Sequence, residues 1–288
     1  MADKSVAIAV TTYRNPQGLR RLLDNINWAG RPAGVPLYVF EDPSPNGDRD
    51  FVSEYNRVVC SAYGVPFLTA PYWGCMQGII DYALHTTKED WIVYVPDDVW
   101  FPKRGLLAEC ENVLKYGRDF VGGIQAPYWN LSDLLQQGVI ASREALLCAT
   151  ELPEIPRNPH WDNGGVPRIY INLNGAGFAI SRRLYEAMGG WPTCTWRLDE
   201  WAGYQAWRHG MVCLTVPGPP RVHLLGGSTG KLPPGMPDYH SEEAWRRATG
   251  GLSPSDTATE TYAIMARLPG ETWPDIVRHF EGETSVAV

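Results

Sequence analysis

The chain has 288 residues, 44% hydrophobic and 20% charged, the proportions of a globular protein with a sizeable core and not those of a disordered chain. Its 25 Lys and Arg against 32 Asp and Glu give a net charge of −7, which argues against a general basic coat for nucleic acid but allows a local basic groove. No apolar run approaches the ~20 residues of a membrane span, and Met1–Ser5 lacks the basic-then-apolar layout of a secretory leader, so a cytoplasmic location is expected.

Ser5–Thr12 is short, apolar and β-branched, as a strand buried on both faces would be. Asn15-Pro16 opens a helix with Leu19, Leu22, Leu23 and Ile26 at helical spacing. Pro36–Phe40 predicts a second strand ending in Glu41-Asp42-Pro43-Ser44, Asp50–Ala62 a helix, Val65–Leu68 a short strand and Gly74–His85 a helix. Trp91–Val95 predicts a third buried strand that stops at Pro96-Asp97-Asp98. Gly105–Tyr116 follows as a helix and Phe120–Ile124 as a strand. Residues 126–170 are rich in Pro, Trp, Asn and Gly around one helical stretch near Ser132–Cys148. A second ordered unit follows: a strand over Ile169–Ile180, helices over Arg182–Met188 and Glu200–His209, and a strand over Met211–Val216. Gly226–Pro237, with Ser228, Thr229 and Lys231, predicts a loop, and Glu260–Arg267 and Pro274–Phe280 predict tail helices.

This alternation predicts an α/β fold with a mostly parallel sheet flanked by helices. Ligands bind such sheets at the carboxyl ends of the strands. Polar residues gather at those ends: Thr11-Thr12-Tyr13-Arg14, Glu41-Asp42 and Asp97-Asp98. The six cysteines form no C-x-x-C pair and predict reduced, structural thiols rather than a zinc site. Twelve Trp and fourteen Tyr supply rings that can stack on sugars or bases, though such rings are also ordinary core material.

Four constellations carry chemistry. Adjacent Asp97 and Asp98 repel each other and pay for desolvation unless a hard divalent cation sits between them; the plain alternative is a solvated turn or cap pair. Asn174-Gly175-Ala176-Gly177, ending in Phe178–Ser181, lets backbone approach a ligand or simply packs a strand under a helix. Asp199-Glu200 opens a helix, where acids cap favourably; either could also act as a general base toward an attacking hydroxyl. His223 precedes the Gly-rich stretch and, as a neutral imidazole, can ligate a cation.

In this order the four pieces resemble the inverting glycosyltransferases of family 2, which have the GT-A fold. The resemblance runs from about Ser5 to His223. It implies a glycosyltransferase domain over residues 1–225, with a nucleotide-binding half (1–124) and an acceptor-binding half (125–225), followed by a loop and helical tail over 226–288. It implies a hexosyltransferase-type enzyme that moves sugar from a nucleotide-diphosphate sugar, UDP-linked by expectation, to an acceptor hydroxyl with inversion. The opening Ala9–Asn15 stands where the family has its first nucleotide-binding strand and helix, placing Thr11, Tyr13 and Arg14 at the nucleotide. Glu41 or Asp42 stands where the family contacts nucleobase and ribose. Val95–Val99 stands at the DxD metal motif, giving Asp98 and His223 to Mn2+ or Mg2+ with Asp97 in support. Gly175 and Gly177 line the sugar site. Asp199-Glu200 resembles the acidic pair holding the catalytic base, the family alignment leaning to Glu200 although spacing does not separate the two.

The chain departs from the pattern at Pro96, which takes the first Asp position of DxD, and at Pro43, which replaces a usual Gly. Trp73–Gln77 matches the family's Asn-rich segment only loosely. The acceptor, a glycan, protein side chain, lipid-linked glycan or modified nucleobase, is expected to meet Pro127–Pro167, which holds Trp129, His160, Trp161 and Asp162. Two other functions compete. A sugar-1-phosphate nucleotidyltransferase would carry a Gly-rich basic loop after the first strand, and Thr11–Gln17 has no Gly. A carbohydrate-binding module would not need all four constellations.

Overall fold

The computed structural model describes residues 4–42, 51–70, 83–148, 154–161, 164–192, 197–224 and 241–284. Strands β1 (Val6–Thr12), β2 (Leu37–Glu41), β3 (Phe67–Thr69), β4 (Trp91–Pro96), β6 (Val121–Gln125), β8 (Arg168–Tyr170), β9 (Phe178–Ser181) and β10 (Val212–Thr215) form one sheet in the order β3-β2-β1-β4-β9-β6-β10-β8. The pairs β3-β2, β2-β1, β1-β4 and β6-β10 are parallel, whereas β9 runs antiparallel to β4 and β6, and β8 antiparallel to β10. The expected mostly parallel α/β sheet is therefore present, with one reversed strand in its middle.

Local chemistry sets the elements that frame the site. Every residue of β1 is buried, as both-face apolar character requires. Helix α1 (Pro16–Ala29) starts at the Asn15 side chain, which accepts from Gly18 N at 3.1 Å, and Pro16 supplies the helical φ of its first turn. Its Leu19, Leu22, Leu23 and Ile26 lie at most 1% exposed against β1 and β4. Each such side chain contributes about 1.5–3 kcal/mol by leaving water, an upper estimate. Helices α2 (Phe51–Ala62) and α3 (Gly105–Tyr116) also match expectation. The opposite sheet face is covered by α6 (Arg182–Met188) and α7 (Leu198–Arg208), whose Leu184, Leu198, Ala202 and Ala206 pack on Ala7, Ala9 and Ile92.

Two expectations are corrected. Residues 169–180 are not one strand: β8 ends at Tyr170, the chain runs along α7, and β9 begins at Phe178. The break is a turn in which Asn174 accepts from Ala176 N through its side chain (2.7 Å) and from Gly177 N through its carbonyl (3.0 Å). Residues 132–148 are not one helical stretch: α4 (Leu131–Gln136) and α5 (Arg143–Cys148) are separated at Gly138, with a left-handed φ of 69°. They cover a small second sheet, β5 (Val99–Trp100), β11 (Arg221–His223) and β7 (Tyr128–Asn130), over a core of Trp100, Trp129, Leu134 and Val222.

Beyond residue 240 the chain forms α8 (Glu242–Ala248), α9 (Pro254–Met265) and α10 (Trp273–Thr284). These dock on the domain: Ile276 is 1% exposed in the main core, Phe280 stacks on Phe120, and Tyr204 of α7 donates to Glu260 at 2.7 Å. Cys60, Cys110 and Cys213 are free and buried; burial pushes the first two thiols up to about 12. Among the described residues no helix is long and apolar enough to cross a membrane. Pro43, Ser44, Trp73–Gln77, Asp162 and Gly226–Pro237 lie outside the described residues; so does the first part of the Gly74–His85 helix, while residues 83–86 are helical.

Candidate active site

The site is built where β1, β2 and β4 end together. The parallel register sets Thr11 against Pro96, so the next residues, Thr12 and Asp97, meet: Thr12 Oγ1 donates to Asp97 Oδ2 at 2.6 Å. Asn15 also bonds the Asp97 carboxylate, and Arg21 Nη2 donates to its carbonyl at 3.0 Å. Burial dominates nonetheless and, with Asp98 alongside, pushes Asp97 up to about 7. Burial also lowers the Arg21 guanidinium, against the pull of Asp97 and Asp98; Arg143 pushes the same way as burial. The Nε atoms of Arg21 and Arg143 are buried without a hydrogen-bond partner.

Asp98 and His223 come together because β5 and β11 pair antiparallel, His223 opposite Val99. Leu224 N donates to the Asp98 carbonyl at 2.8 Å, and His223 Nε2 lies 3.3 Å from Asp98 Oδ2. Asp98 is 7% exposed. Among the described residues no group of three His, Cys, Asp or Glu gathers as a cation site; Asp98 and His223 are a pair, with Asp97 turned to Thr12. A pair fits a hard cation that takes its remaining ligands from water and phosphate oxygens.

Of the other expected nucleotide contacts, Thr11 is buried and shares a side-chain hydrogen bond with Tyr94. Tyr13 is half-buried, and Arg14 is exposed at a left-handed φ of 50° where β1 turns into α1. Glu41 accepts from Asn56 Nδ2 at 2.8 Å and from Ser53 Oγ, so α2 engages both its oxygens. Asp42 is 3% exposed, and its backbone N donates to the Thr12 carbonyl at 3.1 Å.

From the other sheet face, α7 delivers Asp199 and Glu200 in its first turn. Gly175 N donates to Asp199 Oδ2 at 2.9 Å. Burial, and Glu200 beside it, push Asp199 up to about 6 against three backbone hydrogen bonds that favour the charged form. Glu200 instead takes Arg197 Nη1 at 2.7 Å. The Tyr94 phenol, raised chiefly by burial, also feels Asp98, Asp97 and Asp199. The β4–β5 turn and α7 thus both bring carboxylates to bear on one phenol.

Beneath this lies a strut that composition did not reveal. Arg221, 1% exposed, donates Nε to Glu109 Oε1 at 2.9 Å and Nη2 to Glu109 Oε2; its Nη1 reaches the Ala176 carbonyl at 2.9 Å. Gly177 sits over it at a φ of 121°, where a Cβ would come within 1.7 Å of Arg221 Nη1 and 2.8 Å of the Tyr94 carbonyl. Only glycine fits there. A Cβ on Gly175 would meet nothing closer than Asp199 Oδ2 at 3.6 Å. Arg21, Asn15, Tyr94, Glu109 and Arg221 were not foreseen as site residues. The one sequence signal for Arg221 was its place two residues before His223.

No family model matches the chain, and no curated protein matches it in sequence. Among solved structures, a mannosyltransferase from Pyrobaculum calidifontis, in complex with GDP-Man and Mn2+, is similar over 100% of this chain and 82% of its own, at 16% identity and a TM-score of 0.57. Glucosyl-3-phosphoglycerate synthase from Mycobacterium tuberculosis, in complex with Mn2+, UDP and glucosyl-3-phosphoglycerate, matches 77% of this chain and 72% of its own at 13% identity and a TM-score of 0.49. S. aureus TarS matches 77% of this chain and 36% of its own at 10% identity and a TM-score of 0.47. At these identities the likeness is one of fold, and it rests on the first structure, whose score passes 0.5. The fold is GT-A.

Proposed function

We propose that the protein is a glycosyltransferase that moves a sugar from a nucleotide-diphosphate sugar to an acceptor hydroxyl with inversion. The observation that carries the reading is the convergence of Asp97-Asp98 with His223 and of Asp199 with Gly175 around Tyr94, at the strand ends of a GT-A sheet. Thr11, Tyr13, Arg14 and Asp42 bind base and ribose, while Glu41 anchors α2. The guanidiniums of Arg21 and Arg143, each with an unpartnered Nε, face the phosphates. Asp98 and His223 would hold Mn2+ or Mg2+, which when bound supplies Lewis-acid stabilisation of the charge developing on the departing nucleotide. Gly175, half-buried, admits the donor sugar close to backbone, whereas Gly177, expected to do the same, is buried over Arg221 and serves the turn.

Asp199 is the general base. Its Oδ2 is fixed by Gly175 N, and its raised affinity for a proton suits it to take one from the acceptor oxygen near neutral pH. Glu200, neutralised by Arg197, orients the first turn of α7. The acceptor oxygen attacks the anomeric carbon from the face opposite the nucleotide, so one displacement inverts that carbon. The test is incubation with UDP- and GDP-sugars plus Mn2+, monitoring free nucleotide: slow donor hydrolysis supports the reading, and release only in the presence of pyrophosphate would replace it with nucleotidyl transfer.

A further inference from the structure

Three aromatic side chains, Trp161 of the expected acceptor stretch among them, take no part in the geometry described above. Tyr128 and Trp161 have ring centroids 5.2 Å apart, and Trp161 and Tyr170 4.9 Å apart, at interplanar angles of 48° and 47°. Tyr170 is 36% exposed, and Tyr128 and Trp161 are half-buried. The Tyr170 phenol is raised by burial first and then by the phenols of Tyr128 and Tyr262; the latter, on α9, is 60% exposed. Contiguous aromatic surface left partly accessible is a common feature of ligand-binding faces.

The run is held by built contacts. Asn158 Nδ2 donates to the Tyr128 carbonyl at 2.7 Å, Asn158 Oδ1 accepts from His160 N at 3.0 Å, and Trp161 N donates to the Asn158 carbonyl at 2.9 Å. Asn158 is 6% exposed. The turn therefore locks Trp161 onto β7. On the far side, the Tyr170 and Ile171 carbonyls accept from Trp207 Nε1 of α7, at 3.3 and 3.1 Å.

Its place relative to the active site follows from register. In the small sheet, Val222 pairs with Trp129, and both face the apolar core. Alternation turns their neighbours the other way, so Tyr128 shares a face with Arg221, Asn130 and His223. Tyr128 lies two residues along from His223's partner Asn130, about 7 Å at ~3.3 Å per residue. Trp207, which holds Tyr170, lies on the same helix as Asp199, about 12 Å along the axis at ~1.5 Å per residue. The rings thus adjoin the strand that bears His223 and the helix that bears Asp199, each a short way back along its element from those two residues.

We propose that Tyr128, Trp161 and Tyr170 form a platform for the acceptor, which is a glycan of two or more sugar rings: a pyranose stacks its apolar C–H face on the indole and phenol rings while a second sugar presents its hydroxyl to Asp199. Partly exposed aromatic rings suit such C–H surfaces, and the tyrosine hydroxyls can bond the sugar's rim. That the platform serves an acceptor rests on the transferase reading; that it binds sugar does not.

The test is saturation-transfer NMR on the full chain with methyl glucoside, methyl mannoside, maltose, cellobiose and mannobiose, with and without UDP and Mn2+. At least one disaccharide is expected to bind. Trp161→Ala should weaken it about tenfold or more, Trp161→Phe should keep most of it, and neither should change nucleotide binding. Tyr170→Ala, at an outward strand position, gives the same test should Trp161→Ala not fold. Absence of binding by every sugar, or equal binding in the Trp161→Ala and Tyr170→Ala variants, overturns the platform. If no nucleotide binds the unaltered protein while Trp161 still governs sugar binding, the transferase reading falls and the platform stands. If nucleotide binds and no sugar does, the platform alone falls.

Discussion

Asp199→Asn and Glu200→Gln separate the two acids most sharply. An amide at 199 keeps an oxygen for Gly175 N and nearly the same shape, so the loop and the donor site should stay in place. What it loses is proton acceptance, which a positioned base supplies at roughly 10²–10⁴-fold, or about 2.7–5.5 kcal/mol of barrier. Glu200→Gln removes an ion pair with Arg197 whose side chains are 39% and 30% exposed, an interaction of the class worth ~0–1 kcal/mol. Transfer should therefore fall at least a hundredfold in the first variant and less than tenfold in the second, with nucleotide affinity changed little in either.

The pH profile gives a second reading of the same residue. A base must be ionised, so kcat/KM should fall as pH drops through about 6, well above the ~4 of an ordinary aspartate, and the limb should vanish from the residual rate of Asp199→Asn. A carboxyl whose folded pKa is raised contributes stability that is complete below its unfolded value and lost as pH rises through 6. Asp199→Asn should thus raise Tm relative to the unaltered protein at pH 8, and less so at pH 5. Equal turnover of both variants, or greater loss with Glu200→Gln, would refute the assignment to Asp199.

Two further variants probe the frame beneath the site. Arg221→Met should cost about 3–5 kcal/mol, because it strands the buried Glu109 carboxylate, and Glu109→Leu added to it should restore part of the loss in chemical denaturation; an unchanged midpoint for Arg221→Met would contradict the strut. Gly177→Ala places a Cβ against Arg221 and the Tyr94 carbonyl at a left-handed φ, and should lower stability by about 2–4 kcal/mol with a loss of turnover larger than that of Gly175→Ala; equal effects of the two would show that the turn is not held as described.

The parts of this fold that were legible are those where one local rule sufficed. β1 and β4 are apolar on both faces, and α1 and α3 repeat their apolar residues every three or four positions between clear punctuation. The reversed direction of β9 has no local signature, since a strand reads alike in both directions; only its neighbours Tyr94 and Gly123 reveal it. Residues 169–180 looked like one strand because Ile169, Ile171, Leu173 and Phe178 are strand formers, and the Asn174 turn overrode them. α8 has little sequence signature because it is short and polar, with Ala244 and Trp245 its buried residues.

At the site, residue types were visible and their allegiances were not. Asp97-Asp98 stood out in sequence, but the Thr11–Pro96 register gives Asp97 to Thr12, and the β5–β11 pairing gives Asp98 to His223. The lean to Glu200 over Asp199 came from alignment alone. What distinguishes them is which acid the Gly175 amide reaches, a contact from 24 residues away, and which of the two the neighbouring Arg197 takes, a local pair whose choice of acid depends on that placement. Arg21 and Arg221 read as unremarkable cations, the first on a helix and the second outside any expected element, since their burial is a tertiary property.

Calorimetry of UDP and GDP binding, with and without Mn2+, in the unaltered protein and in Asp98→Asn decides whether this cleft holds a metal-bound nucleotide. Nucleotide binding should strengthen at least tenfold with Mn2+ and lose that gain in Asp98→Asn. Metal-dependent binding that survives unchanged in Asp98→Asn, or no nucleotide binding at all by the unaltered protein, would contradict that reading.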